Sequence, residues 1–425
     1  MISKGPLPGR YGLSLLAGAL AVLLLAQRAH AADESFSLGD ALINGRFTLE
    51  LRPRYNHIRE SDRPEVTEGT TIRAVPGWQS APWHGAKVVA ELLHTGHLGT
   101  REYNDNVTRT GTSPYPLLPD PGYTGANQLY VDLMLQESTR LRAGRQFVKL
   151  DNLRFISDND FRQTPQTFTG VMATNTAIEN TQLMAGHFIR VRTATGAYNP
   201  LELTLLHAAW NPLRDHSLAA YVYLHDQPQT ANNTGFANNS NRTTGLRAEG
   251  SFAAYGFEFP YLAEWATQRP WSGGDYRIDA RYRRLGGGIG GNSGGSGGGN
   301  PWVVRYDDEV KGSNRGVYGL QTPFTDLYAF NGWALHFTTT PRQGLRDRWA
   351  TVRWQTGPVT LYAEAHRFTS DTGGLDFGRE TDVSASYPLR DNAILRLQHA
   401  RYRPKDGPVA QNRVDKTWLM LTYTY

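Results

Sequence analysis

Three features of this chain have residue types and spacings that could do chemistry. The first is Glu91, His94 and His97. Imidazole and carboxylate are ordinary ligands of zinc, and on a helix this spacing would hint at a metal. The surrounding residues alternate as in a strand, which puts His94 on the face opposite Glu91 and His97. The set is split, and these read as rim or lumen histidines. The second feature is the tract Gly286 to Asn300. Gly286, Gly288 and Gly291 satisfy G-x-G-x-x-G, and Gly294, Ser296 and Gly298 satisfy G-x-S-x-G. The first pattern binds phosphates only at a strand-to-helix turn. The second makes a nucleophile only on a strained elbow in an α/β sheet. A glycine-serine tract produces both by composition alone. The third feature is arginine. Lysine occurs only at 4, 87, 149, 311, 405 and 416, so the rest of the 44 basic residues are arginine. Arginine grips carboxylates bidentately and stays charged at any working pH. An arginine-coded chemistry is recognition of anions.

Other chemistry is excluded. There is no cysteine, so thiol catalysis, a Cys-based zinc site and a disulfide scaffold are all ruled out. No positioned Ser-His-Asp set and no paired-carboxylate glycosidase motif is present, so no enzyme is expected. No cofactor or metal is expected either. The formal net charge is only +5, and no nucleic-acid partner is expected.

The elements that position the arginines are strands. Arg46 to Tyr55 puts Phe47, Leu49 and Leu51 on one face and Arg46, Thr48, Glu50, Arg52 and Arg54 on the other. In Asn127 to Gln136, Leu129, Val131, Leu133 and Leu135 oppose Tyr130, Asp132, Met134 and Gln136. In Tyr276 to Arg283, Tyr276, Ile278, Ala280 and Tyr282 oppose Arg277, Asp279, Arg281 and Arg283. Further strands are read at 201–207, 219–225, 349–355, 359–368, 381–387 and 394–401. The chain ends on Trp418 to Tyr425, with Leu419, Leu421, Tyr423 and the terminal Tyr425 on one face. Long polar connections alternate with short turns, which is the outer-membrane pattern. In a barrel the apolar face meets lipid and the charged face lines a wet lumen.

The N-terminus agrees with this destination. Lys4 and Arg10 precede an apolar run from Tyr11 to Ala26, and Ala29-His30-Ala31 fits a small-x-small cleavage site. Residues 1–31 read as a signal peptide and 32–425 as a single domain. The expected fold is all-β: a transmembrane antiparallel β-barrel of 16 to 18 strands in the bacterial outer membrane. The strand counts from the two ends disagree by one near the middle. The count from the C-terminal end, where the hairpins are tighter, puts the glycine tract outside the cell.

The densest polar segment runs Leu141-Arg142-x-Gly144-Arg145-Gln146, then Asp151 and Arg162-Gln163. Together with Asp376-Phe377-Gly378-Arg379-Glu380, Ile394-Leu395-Arg396 and Arg403 to Gly407, it resembles the alginate-export family of outer-membrane barrels. Thr322-Pro323-x-Thr325-Asp326, Asn331-Gly332-Trp333 and Pro341 to Asp347 add to the likeness. The resemblance implies an 18-stranded monomeric barrel with an arginine-rich constriction that passes anionic polysaccharide. It implies basic pore positions at Arg142, Arg145 and Arg396 and acidic ones at Asp151 and Glu380. Gln398 stands where the alginate exporter has a second arginine, so the fold transfers better than the substrate. The polar segment and the charged strand faces add Arg154, Arg162, Arg277, Arg281 and Arg353 as pore-lining candidates.

The expected partners are therefore outer-membrane lipid and an anionic polysaccharide or small anionic solute, passed by diffusion. The outer-membrane assembly machinery is expected to recognise the last strand through Tyr425. A general small-solute uptake porin is the alternative. A secreted carbohydrate-binding β-protein is a further one.

Overall fold

Period-two alternation, repeated along nearly the whole chain, needs a partner for every strand edge, and a closed sheet supplies one. The computed structural model describes residues 37–105, 113–227, 236–291, 301–405 and 409–425. The signal-peptide reading of 1–31 lies outside the described residues. A short helix α1 (Leu38–Ile43), closed by a capping box between Ser37 and Asp40, leads into the first strand. The strands are β1 (Arg46–Glu60), β2 (Thr67–Gln79), β3 (Ala86–Glu102), β4 (Tyr123–Gln136), β5 (Thr139–Gln146), β6 (Thr167–Asn175), β7 (Thr181–Arg192), β8 (Tyr198–Leu213), β9 (His216–Asp226) and β10 (Asn241–Ala254). They continue as β11 (Phe257–Pro270), β12 (Ala280–Gly291), β13 (Trp302–Lys311), the two-residue β14 (Ser313–Asn314) and β15 (Tyr318–Gly319), β16 (Leu345–Thr356), β17 (Val359–Thr369), β18 (Asp376–Arg390), β19 (Ala393–Pro404) and β20 (Val414–Thr424).

All but β14 and β15 form one antiparallel 18-stranded sheet, each strand beside its neighbours in sequence. β1 pairs with β20, from Glu50 opposite Thr424 to Glu60 opposite Val414, which closes the barrel. One rim carries α1, the C-terminus and short turns such as 137–138, 214–215, 255–256 and 357–358. The other carries the long connections, among them 103–122, 147–166 and 312–344. By the rule for bacterial barrels the short-turn rim is periplasmic.

Two expectations are corrected here. Gly286 to Gly291 are not loop but the end of β12, and β13 follows at Trp302. β13 is a strand that the sequence reading left as connection. Its lumen face is Arg305, Asp307, Glu309 and Lys311, and glycines sit opposite it. A Cβ on Gly286 would lie 2.1 Å from Asp307 Oδ1, so the glycines make room for charged side chains across the strand pair. With β13 counted, the glycine tract joins β12 to β13 at the short-turn rim rather than outside the cell. Its residues 292–300 lie outside the described residues.

The second correction concerns polarity. Near the short turns the barrel is apolar outside, with Trp210, Leu246, Val304, Tyr306, Val352, Trp354 and Leu397 exposed, and charged inside. Near the long connections the pattern inverts. There the inward side chains are Phe168, Phe188, Leu203, Tyr223, Ala280 and Tyr282, packed with Phe155, Ile156 and Phe324 from inward-folded connections. A second inner cluster holds Phe337, Leu345, Phe368, Phe377 and Tyr402. Where these rings pack, the wall behind them is apolar, and the arginines that alternate with it, such as Arg281 and Arg367, point out.

Candidate functional site: the loop-filled lumen

Two connections fold into the barrel. Segment 147–166 enters between β5 and β6, which are only 8 and 9 residues long. Residues 320–344 enter between β13 and β16. They meet at a bridge between Ile156 and Phe324, where the Ser157 N–H donates to the Phe324 carbonyl at 2.9 Å. The turns of 147–166 use left-handed backbone at Asp151, Leu153 and Asn159. The Asn152 and Ser157 side chains accept from backbone N–H groups two residues on, as turn-forming residues do. Phe161 stacks on Tyr328 with centroids 3.5 Å apart, and Tyr328 on Trp333 at 5.0 Å. Gly332 has φ +78, and a Cβ there would lie 2.4 Å from the Glu380 carboxylate. The segment reaches the wall only because that position is glycine.

Charge fixes the rest. Arg154 is fully buried, ion-paired with Glu309 of β13, and it also donates to Thr325 and Asn331. It sits over the Phe330 ring at 4.4 Å. On β1 Arg52 donates to the Asp160 and Arg162 carbonyls at 2.7 and 2.9 Å. Arg73 donates to the Asp160 carboxylate at 2.7 Å and to Glu50 at 3.1 Å. Arg54 pairs with Asp120. Lys149 pairs with Asp158 at 2.6 Å. Burial pushes the Asp160 carboxyl up, but Arg73 and Arg52 outweigh it and hold the group well below the usual carboxylate range. Asp120 is likewise held down, burial being overcome by Arg54, Arg162 and the Gln163 N–H. Burial dominates at Asp158 and Asp326, which are raised. It also lowers His336 to about 4.

The sequence-derived candidates divide by place. Arg142 faces the lumen in a bidentate pair with Asp132 at 2.6 and 2.7 Å, over the Tyr130 ring. Arg353 and Arg396 face the lower lumen, and Arg396 donates to Ser386 at 3.0 Å. Asp151, Arg154 and Arg162 belong to the inward-folded segment, where Asp151 contacts His207 Nε2 at 2.9 Å. Glu380 is buried on the inner wall, accepting from the Ala334 N–H at 2.5 Å. Three candidates lie elsewhere. Arg145 is opposite Leu129, whose side chain is exposed to lipid, and it donates to the Ala126 carbonyl and the Tyr198 hydroxyl. Arg281 alternates with the buried Ala280 and Tyr282 and points out. Arg277 lies in the connection 271–279, paired with Asp275 at 2.6 Å. The physical reason is the packed upper lumen, which takes the apolar face of β12 and turns Arg281 away.

Two groups escaped the sequence reading. Arg73 on β2 had no strand assigned to it. His366 places Nδ1 3.0 Å from both oxygens of Asp347 and Nε2 3.3 Å from Glu364 and 3.8 Å from Asp382. Glu364, His366 and Asp382 could hold a cation between them. Glu364 and His366 stand two apart on β17, but Asp382 comes from β18 and Asp347 from β16, so no local motif announces the whole cluster. For the earlier histidine set, Glu91 binds Asn127 and Gln128 while His94 meets Thr124 on the outer face, so the predicted split is observed.

Known proteins fit this geometry. Residues 87–282, from β3 into β12, match the model of the alginate-export family. Pseudomonas aeruginosa OpdK superposes with a TM-score of 0.67 at 17% identity, over 90% of this chain and 99% of that one. The barrel has the outer-membrane porin fold. Pseudomonas aeruginosa OpdQ gives this porin fold again, with a TM-score of 0.67 at 14% identity over 90% of this chain and 99% of its own. So does Pseudomonas aeruginosa OpdK solved with vanillate, at 0.66 and 13% identity over 89% and 98%. None of the curated proteins matches the sequence.

Proposed function

We propose that this porin passes small anionic, carboxylate-bearing solutes by passive diffusion. The observation that carries the reading is the inward-folded pair of segments, braced by Arg154 and Arg52, above a lower lumen edged by Arg142, Arg353 and Arg396. Packed segments leave little room for a thick polymer. A row of arginines lowers the barrier for carboxylates, while the acids beside them keep a solute from binding too tightly to leave. That one neighbour was solved with vanillate, a carboxylate, supports the same class of cargo. Export of a polyuronate is the second reading, favoured by the family match over residues 87–282. Liposome-swelling rates separate the two. Small aromatic and aliphatic carboxylates should permeate faster than neutral sugars of similar size, and uronate oligomers should neither permeate nor block. Block of ionic current by uronate oligomers, with no preference among small solutes, would favour the polymer and overturn the small-solute reading.

A further inference from the structure

The outer face of the barrel carries an arrangement that the lumen does not explain. Arg348 of β16 lies directly opposite Arg367 of β17, Arg367 opposite Arg379 of β18, and Arg379 opposite Arg403 of β19. The four lie at one level across four adjacent strands. All alternate with inward residues, Asp347 and Trp349, His366 and Phe368, Glu380, and Tyr402, so all point away from the lumen. Like charges directly opposite each other destabilise a sheet, and here three such pairs stand in succession.

Nearby acids do not offset them all. Asp308 serves Arg346 at 2.6 Å and Arg283 at 3.5 Å. Asp376 serves Arg367 at 3.0 Å and Lys405 at 3.4 Å. Asp415 serves Arg401 and Arg403. Asp279 is taken by Arg269, and Asp371 accepts the Ser313 N–H. Arg348 and Arg379 have no ion-pair partner among the described residues. Above the row, an open cavity of about 910 Å³ has Arg281, Arg283, Arg315, Arg346, Arg348 and Arg367 in its lining, with Thr369 and Ser370 beside them. Below it, β16 and β17 turn apolar on their outer face, through Ala350, Val352 and Trp354 and through Ala365, Ala363 and Leu361, and β18 reaches Val383.

We infer that this row and cavity bind the phosphate groups of a glycolipid in the outer leaflet. The position selects the ligand. The row lies on the long-connection side, at the level where apolar wall gives way to charge, so an anion there must be tethered to chains that cover Val352 and Trp354. A phosphorylated lipid headgroup satisfies both halves. Phosphate oxygens accept several guanidinium donors at once, which relieves the repulsion between Arg348, Arg367 and Arg379. A soluble anion satisfies only the upper half.

Native mass spectrometry on the intact barrel in detergent tests this, with lipid A carrying both phosphates and with lipid A stripped of them. The phosphorylated lipid should stay bound and the stripped one should not. The double variant Arg348→Gln/Arg379→Gln should bind about ten-fold more weakly, as expected for losing charge-assisted contacts, while keeping the wild-type gel shift on boiling. Millimolar inorganic phosphate should leave the lipid in place. Equal retention of both lipids, unchanged retention by the folded double variant, or displacement by inorganic phosphate alone would overturn the assignment.

Discussion

Arginine does different work in the two halves of this barrel. Inside, each arginine that touches an inward-folded segment meets an acid or a carbonyl: Arg154 with Glu309, Arg73 with Asp160, Arg54 with Asp120. Outside, near the long connections, arginine stands beside arginine. The inner set is closed upon itself and braces the lumen filling. The outer set is incomplete and waits for an anion. Residue type and alternation are the same in both, so what decides the role is what lies against each face of the wall.

Breaking the inner set should have the largest effect. Arg154→Ala leaves Glu309 buried without its partner, a change that costs about 3–5 kcal/mol. The two segments should undock, and unit conductance should rise. An unchanged conductance with a folded barrel would show that Arg154 does not hold the constriction. Next comes Gly332→Ala, which combines a left-handed backbone with a Cβ against Glu380. We expect a loss of ~1–3 kcal/mol, read as a lower melting temperature in detergent; an unaltered melting temperature would mean that the 320–344 segment can dock otherwise.

Acid should act later than carboxylate chemistry alone suggests. Asp120 and Asp160 are held below their ordinary values by arginine. Their contribution to docking is therefore complete above the unfolded carboxylate value of about 3.9. It is lost only as pH falls beneath that, through the depressed values. Asp158 and Asp326, raised by burial, take up protons earlier; this relieves the burial penalty, and at Asp158 it also discharges the ion pair with Lys149. Conductance recorded from pH 7 to pH 3 should stay at the constricted level down to about pH 4. Opening near pH 5 would contradict the arginine-held carboxylates. The smallest effect belongs to the outer row: Arg379→Gln should leave ion selectivity unchanged, since its side chain does not reach the lumen.

The barrel itself was legible in the sequence because alternation and turn spacing are local. Leu129, Val131 and the terminal Tyr425 announce lipid-facing strands by pattern alone. β13 was hidden because its run Trp302 to Lys311 follows a glycine tract and is charged at Arg305, Asp307, Asp308, Glu309 and Lys311, so it reads as connection. The direction of a charged face is not local. Arg52 and Arg281 both alternate with apolar residues, yet one points in and the other out. The difference is set by what the inward-folded segment presents at that level: the Asp160 and Arg162 carbonyls to Arg52, and the Phe155 ring to Tyr282 beside Arg281. The Arg154–Glu309 pair spans 155 positions, and no spacing rule could have joined them.

Reversal potential in a KCl gradient tests the lumen reading most directly. The wild-type channel should be anion-selective, and Arg396→Ala should weaken that preference by a factor of several. Charges a few ångströms from a passing ion act between the ~1 kcal/mol of bulk water and ~4 kcal/mol at an effective dielectric of 20. The preference should also shrink with rising salt as the Debye length falls below about 10 Å. A cation-selective wild type, or the same reversal potential for wild type and Arg396→Ala, would contradict an arginine-lined path for anions.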